Sequence, residues 1–96
     1  MNRAKAIELL RKSKPVLSAQ FGVTRLALFG STVRGLAHED SDVDILVAFD
    51  GPATSKQYFG VQFFLEDLFG VSVDLVTDKA MRPALRPFIE QQAVHV

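Results

Sequence analysis

Arg25-Leu-Ala-Leu-Phe-Gly-Ser31, followed after ten residues by Asp42-Val-Asp-Ile-Leu-Val-Ala-Phe49, is the part of the chain that decides the fold. Both stretches begin or end in short apolar runs of the kind that form buried strands. The first run stops at Gly30, where the missing Cβ allows a sharp turn and a close approach of the backbone to a ligand. The link between the two runs is short, so we expect the chain to reverse there and the strands to lie antiparallel.

Two carboxylates stand at the entry of the second strand. Side chains alternate across a strand, so Asp42 and Asp44 are expected to face the same side. Two unit charges about 4 Å apart repel by about 4 kcal/mol at an effective dielectric constant of 20, and a divalent cation would offset this repulsion. Ligands that are all oxygens, in a chain without cysteine, favour Mg²⁺ or Mn²⁺ over zinc.

A third carboxylate, Asp74, lies within the apolar run from Val71 to Val76, where a charge is costly unless it is paired or metal-bound. Residues 54–69 are long enough to form a crossover helix, so the strands before and after it should be parallel. The acidic entries of these two strands then meet at one edge of the sheet. The Gly30–Ser31 turn should arrive at the same edge.

The residues after the glycine turn predict a phosphate site. We expect residues 31–35 to begin a short helix, whose free backbone N–H groups would bind an anion together with the Ser31 hydroxyl. Arg34 would either add positive charge to this site or form a surface ion pair with Glu39 or Asp40, and the sequence does not decide between the two.

Two competing motifs each fail at two specific positions. The acidic spacing is similar to the start of an EF-hand calcium loop, but Ile45 stands where that loop requires glycine and Gly51 where it requires glutamate. The glycine spacing is similar to a P-loop, but Leu36 and Ala37 replace the lysine and the hydroxyl residue. A solvated turn would account for the acidic stretch alone, but not for the glycine turn or the third carboxylate. A divalent-metal and phosphate site explains all three.

Composition indicates one small domain. The 96 residues, with 48% hydrophobic content, suffice for one modest core, so we expect a single domain over residues 1–96. Eleven basic and eleven acidic residues cancel, so free DNA or RNA is not an expected substrate. The absence of cysteine is compatible with a reducing compartment. No apolar run approaches a membrane span and the start lacks a signal-peptide core, so we expect a cytoplasmic protein without membrane association.

The helices are predicted from apolar periodicity. A first helix is expected over about residues 3–20, kinked or divided at Pro15. Gly70 should end the middle helix, and a short helix is expected at about residues 88–92. The predicted sheet-facing side of the middle helix consists of Tyr58, Val61, Phe64, Leu65 and Leu68. Phe59 and Phe63 fall on its opposite side, either as a protein interface or under cover from the tail or another helix.

These motifs resemble a known family. The pattern Gly-Ser-x10-Asp-x-Asp with a distant third Asp is similar to the signature of the nucleotidyltransferase superfamily that includes DNA polymerase β, and in particular to its minimal nucleotidyltransferases. The resembling blocks are Leu28–Gly35, Ser41–Val47 and Val73–Val76, which span most of the chain. The resemblance implies an α+β fold: a small mixed sheet of about three strands flanked by helices, in an αβαβαβ-like order.

The resemblance also implies the chemistry. Asp42, Asp44 and Asp74 would hold two Mg²⁺ ions, or Mn²⁺, on a nucleoside triphosphate whose phosphates bind Gly30 and Ser31. Asp74 would in addition be able to deprotonate the acceptor hydroxyl. The family-based substrate is ATP, and the reaction is in-line attack on the α-phosphorus with pyrophosphate leaving.

A chain this short has no visible acceptor-binding domain, which favours a protein acceptor. Minimal nucleotidyltransferases commonly pair with HEPN-domain proteins in toxin–antitoxin systems, so the resemblance implies an antitoxin that transfers AMP to a hydroxyl of a HEPN toxin, with tyrosine as the expected acceptor. The alternative is a catalytically silent, nucleotide-binding antitoxin that neutralises its partner by forming a complex. Transfer to a small molecule such as an aminoglycoside is the weakest hypothesis.

Overall fold

A computed structural model describes residues 2–35 and 42–96. In chain order its elements are α1 (Arg3–Phe21), β1 (Val23–Phe29), β2 (Val43–Phe49), α2 (Ser55–Phe69), β3 (Val73–Thr77), a 3₁₀ turn (Asp78–Ala80), α3 (Arg86–Gln92) and β4 (Val94–His95). No helix in these two ranges is long and apolar enough to cross a membrane.

The four strands form one mixed sheet in the order β3-β2-β1-β4. β1 pairs antiparallel with β2 and β2 pairs parallel with β3, which confirms both strand directions predicted from the lengths of the connections. The α+β class is also confirmed. The sheet gains one strand beyond the three expected, because Val94 and His95 pair with the outer edge of β1. Two residues are too short a run for an alternation pattern to reveal.

The first helix is longer and more continuous than expected. α1 runs through Pro15 without a break and ends at Gly22, whose φ of 73° is the left-handed conformation of a helix C-cap. At its start, Asn2 accepts a hydrogen bond from the Lys5 N–H at 2.8 Å, which satisfies one free donor of the first turn.

The two faces of the sheet are covered differently. α1 and α2 pack on one face, around buried side chains such as Leu10, Ile45 and Leu65. The other face has a smaller cluster, formed by Ala27 and Leu46 under Met81, which comes from the C-terminal part of the chain. Asp44 precedes Ile45 on β2 and therefore lies on this second, more open face.

α2 is held by a capping box, in which Thr54 and Gln57 exchange side-chain-to-backbone hydrogen bonds of 2.8 and 3.1 Å. Its buried side differs from the prediction at one end. Leu68 is 38% exposed and Phe69 is buried instead, because the inward stripe follows the spacing of residues 61, 65 and 69.

The free edge of β3 is covered by side chains from α2. Tyr58 donates its hydroxyl to the Leu75 carbonyl at 2.6 Å, and Gln62 donates its amide to the Val73 carbonyl at 3.3 Å. Glu66 accepts a hydrogen bond from the Val73 N–H at 3.0 Å. These three residues are one helical turn apart, so a single row of side chains satisfies backbone groups that an edge strand otherwise exposes.

A network of ion pairs fastens the C-terminal part of the chain to the sheet. The Arg25 guanidinium, on β1, contacts both carboxylate oxygens of Glu90 at 2.7 and 2.8 Å and Asp78 at 3.2 Å. Arg86 reaches the same Asp78 carboxylate at 2.8 Å. The Nε–H of Arg25 donates a hydrogen bond to Nδ1 of His95 at 3.5 Å, and Nη2 of Arg25 lies 3.4 Å from Nε2 of His95, so this histidine belongs to the network.

Candidate active site

The centre of the site is a pair of carboxyl groups on neighbouring strands. In the parallel register of β2 and β3, Asp44 is the direct partner of Asp74. Partners in a sheet project from the same face, and the Asp74 carboxyl group is close enough to raise the pKa of Asp44. The prediction that the acidic entries of the two strands converge is therefore confirmed for these two residues.

This pairing changes the protonation of Asp44. Burial raises the pKa of the Asp44 carboxyl above its ordinary value of 3.8, and the Asp74 charge, the hydrogen bond to Asp74 and the Asp42 charge raise it further. The backbone N–H of Ser31 donates to Asp44 and acts in the opposite direction. Without a cation, Asp44 therefore holds a proton more tightly than an isolated carboxyl group does.

Gly30 makes the close approach of the turn to Asp44 feasible. Its φ is 76°, a left-handed conformation that other residues rarely adopt, and a Cβ built on it would overlap the Asp44 carboxylate and lie 2.8 Å from its Cγ. The absence of a side chain at Gly30 therefore leaves the space that the carboxylate occupies. The sequence prediction that this glycine brings the backbone against the site is confirmed in geometry.

The segment after Gly30 corrects one prediction. Residues 31–35 form a turn rather than the start of a helix. The Arg34 N–H donates to the Gly30 carbonyl at 3.3 Å and the Gly35 N–H to Thr32 at 3.3 Å, but a positive φ of 73° at Gly35 ends the winding after one turn. Arg34 is exposed. Its two predicted ion-pair partners, Glu39 and Asp40, lie outside the described residues, so both predictions for Arg34 stay open.

Asp42 is exposed, directly before β2, and acts on Asp44 through its charge. Within residues 2–35 and 42–96, no group of three histidine, cysteine or acidic side chains lies close enough together to hold a metal ion by itself. The structure thus brings two of the three predicted ligands into contact. The all-oxygen donor set, beside a turn that suits phosphate, still fits a hard divalent cation, because such ions complete their coordination with substrate phosphates.

Tyr58 is a neighbour of the site that sequence reasoning assigned only to packing. Burial and the nearby charge of Asp74 raise the pKa of its phenol above the ordinary 10.0. Through its hydrogen bond to Leu75, this side chain links α2 to the residue after Asp74. An aromatic residue with a polar tip at the rim of an apolar helix face is the signal that would have indicated this position.

Phe59 and Phe63 do not belong to the site. They lie on α2, which covers the opposite face of the sheet from Asp44, and they are 49% and 62% exposed. Their rings stack with centroids 6.3 Å apart. Neither the tail nor another helix of the described chain buries them, and a role as an interface stays a prediction.

Comparison with known proteins agrees with this geometry. Residues 10–96 match the family described as "Nucleotidyltransferase domain". The protein adenylyltransferase MntA of Thermococcus cleftensis is 38% identical over 88 residues, which are 92% of this chain and 89% of that protein.

Two solved structures have the same fold. "Structure of putative minimal nucleotidyltransferase" superimposes with a TM-score of 0.82 at 36% identity, covering 98% of this chain and 95% of that one. "Crystal structure of the toxin-antitoxin with AMP-PNP" superimposes with a TM-score of 0.70 at 26% identity, covering 99% of this chain and 72% of that one.

Proposed function

Because this chain belongs to the nucleotidyltransferase domain family, in its minimal form, we propose that it transfers AMP from ATP to a hydroxyl group of a partner protein. The observation that carries the proposal is the contact between the Asp44 and Asp74 carboxyl groups beside the Gly30–Ser31 turn. An aspartate whose pKa is raised by burial and by a neighbouring carboxylate is costly for a purely structural role. It is suited to a site that gathers positive charge around a triphosphate.

The metal is proposed from the donor set. Asp42, Asp44 and Asp74 would hold Mg²⁺, with Mn²⁺ as a substitute, and two ions fit the chemistry of the family. Bound divalent ions neutralise triphosphate charge and stabilise both the attacking and the leaving oxygen. Because the pKa of Asp44 is raised, metal binding would compete with protonation of this carboxyl group.

The residues of the chain have distinct tasks in this reaction. The backbone at Gly30 and Ser31 positions the phosphates, with Arg34 at the exposed end of the same turn. The acceptor oxygen attacks the α-phosphorus in line, a new P–O bond forms as the bond to pyrophosphate breaks, and Asp74 takes the hydroxyl proton. Asp74 suits that task because it is more exposed than Asp44 and faces the same side of the sheet.

A protein acceptor is supported by the relatives. The similar Thermococcus protein is a protein adenylyltransferase, and the similar structure with AMP-PNP is a toxin–antitoxin pair. We therefore propose a HEPN-domain toxin as the acceptor, with a tyrosine hydroxyl as the attacking group, and an antitoxin role for this chain.

The test uses purified chain, a purified HEPN-domain toxin, ATP and Mg²⁺, followed by intact-mass measurement of the HEPN protein. We expect the mass to increase by whole AMP units with wild-type chain and to stay unchanged with Asp44→Asn. Asp50→Asn, which alters an exposed acid at the far end of β2, is the matched control and should transfer normally. An unchanged partner mass with the wild type, together with neutralisation of the toxin, would favour the silent-antitoxin alternative.

A further inference from the structure

The outward side of α2 carries four exposed side chains in one row, here called the α2 stripe: Lys56, Phe59, Phe63 and Asp67. They are spaced three, four and four residues apart, which places them on one side of a helix with 3.6 residues per turn. The two phenyl rings in the middle are stacked on each other. The stripe is therefore an apolar pair with a charge at each end.

The charges of the stripe have opposite signs, and neither Lys56 nor Asp67 forms an ion pair with another described residue. The phenyl pair is centred on residue 61 and the charged pair half a residue further along, a difference below ~1 Å at the rise of an α-helix. When the direction of the helix is reversed, the stripe therefore keeps its shape and its two charges exchange places. Such an order of groups is complementary to itself when the direction of the helix is reversed.

We propose that the α2 stripe is the contact surface of a homodimer, in which α2 of two copies pack antiparallel about a two-fold axis near residue 61. In this arrangement Phe59 of each copy meets Phe63 of the other, and Lys56 of each copy meets Asp67 of the other. A second copy of the chain satisfies the shape and the charge of the stripe at once. Strand addition beside β3 is not an alternative route to a dimer, because side chains of α2 already occupy that edge.

The dimer is weak and leaves catalysis free. α2 has 15 residues, about 22 Å of helix, and such a contact buries less than the roughly 800 Å² per partner of a standard interface. We therefore expect a dissociation constant in the micromolar range. Asp44 lies on the opposite face of the sheet from α2, so dimerisation does not cover the active site. This inference stands independently of the proposed reaction.

Sedimentation equilibrium at about 10 to 300 µM chain tests the proposal, with thermal unfolding to show that each variant is folded. We expect wild type to dimerise in this range and Phe63→Ala to raise the dissociation constant at least about tenfold. Lys56→Glu and Asp67→Lys should each weaken self-association by a similar factor, because each places like charges together twice. Arg11→Glu, which reverses an exposed charge on α1, is the control and should dimerise as the wild type does.

The decisive experiment mixes the two charge variants. Lys56→Glu chain and Asp67→Lys chain would meet with opposite charges at both ends of the stripe, so an equimolar mixture should form a heterodimer about as tight as the wild-type dimer. A wild-type chain that stays monomeric over the whole range overturns the proposal. A mixture that associates no better than either variant alone overturns it as well.

Discussion

Asp44 and Asp74 are register partners on parallel strands, and their carboxyl groups project from the same open face of the sheet. The two strands are joined through α2, which forces them to start from the same edge. Connectivity thus places two like charges side by side, and this lowers the stability of the folded state when no cation is bound.

The first prediction concerns Asp44→Asn in metal-free protein. The native pKa of Asp44 lies above its unfolded value, so the native state binds the proton more tightly and stability falls as pH rises through the native pKa. The variant should lack this fall. At pH 7 we expect it to be more stable than wild type by on the order of 1 kcal/mol, a value kept small because Asp44 is only partly buried.

Urea unfolding with a chelator, from pH 3 to pH 8, measures this difference. The gain of the variant should disappear near the unfolded pKa and should reverse in sign when Mg²⁺ and ATP are added, since only wild type then binds them fully. Equal stability of the two proteins at every pH would contradict the pairing of the carboxyl groups.

The second prediction separates two effects of a side chain at Gly30: the cost of backbone strain and the disturbance of the active site. Gly30→Ala introduces a left-handed alanine, which costs about 1 to 2 kcal/mol, and in addition displaces the Asp44 carboxylate. Gly70→Ala has a nearly identical φ of 72° but open space around the new methyl. We expect Gly30→Ala to lose more stability than Gly70→Ala, and only Gly30→Ala to lose AMP transfer, by roughly 100-fold or more.

Thermal unfolding and single-turnover transfer distinguish the two effects. Retention of transfer in Gly30→Ala would show that the close approach of the turn to Asp44 has no part in catalysis.

The third prediction concerns the ion-pair network of Arg25. Arg25→Ala removes contacts to Glu90 and Asp78, and we expect a loss of about 1 to 2 kcal/mol, visible as a lower Tm. Arg25→Lys should recover only part of this, because one ammonium group cannot replace the two guanidinium nitrogens that bind Asp78 and Glu90 separately. Lys12→Ala breaks an exposed pair with Glu8 on α1 and serves as the control, with an expected loss below about 0.5 kcal/mol.

The stabilisation that this ion-pair network provides is lost at low pH. A hydrogen bond from Arg86 holds the pKa of Asp78 below its ordinary value of 3.8, with the Arg86 and Arg25 charges lowering it further. This stabilisation is complete above the unfolded pKa and is lost as pH falls through the lower native pKa. Arg25→Ala and wild type should therefore converge in stability in strong acid, and a constant difference down to pH 2 would argue against the network.

The fourth prediction uses the single tyrosine of the chain. Because burial and Asp74 raise the pKa of Tyr58, the ultraviolet absorbance of its phenolate should appear above pH 10.0 in the folded chain and near the ordinary value in urea. Asp74→Asn should bring the folded midpoint part of the way back. A folded midpoint equal to that in urea would contradict the buried position of the phenol.

Sequence reasoning recovered the parts of the fold that depend on local pattern and connection length. The apolar runs around Asp44 and Asp74, the reversal after Phe29 and the crossover over α2 were sufficient to predict the meeting of the acids. β4 and the Arg25 network could not be predicted, because they depend on which distant segments come together and not on periodicity. The turn at residues 31–35 could not be told from the start of a helix, because the two have the same local sequence pattern. The positive φ of Gly35, which ends the turn, is visible only in the structure.

The row formed by Tyr58, Gln62 and Glu66 along β3 has a consequence for how the protein behaves at high concentration. At high concentration, a bare outer strand would pair with strands of other chains and template fibrils. On this outer strand, the row binds the N–H and the carbonyl of Val73 and the carbonyl of Leu75. Pairing between chains through the β3 edge is therefore opposed at these positions, even when the chain is concentrated.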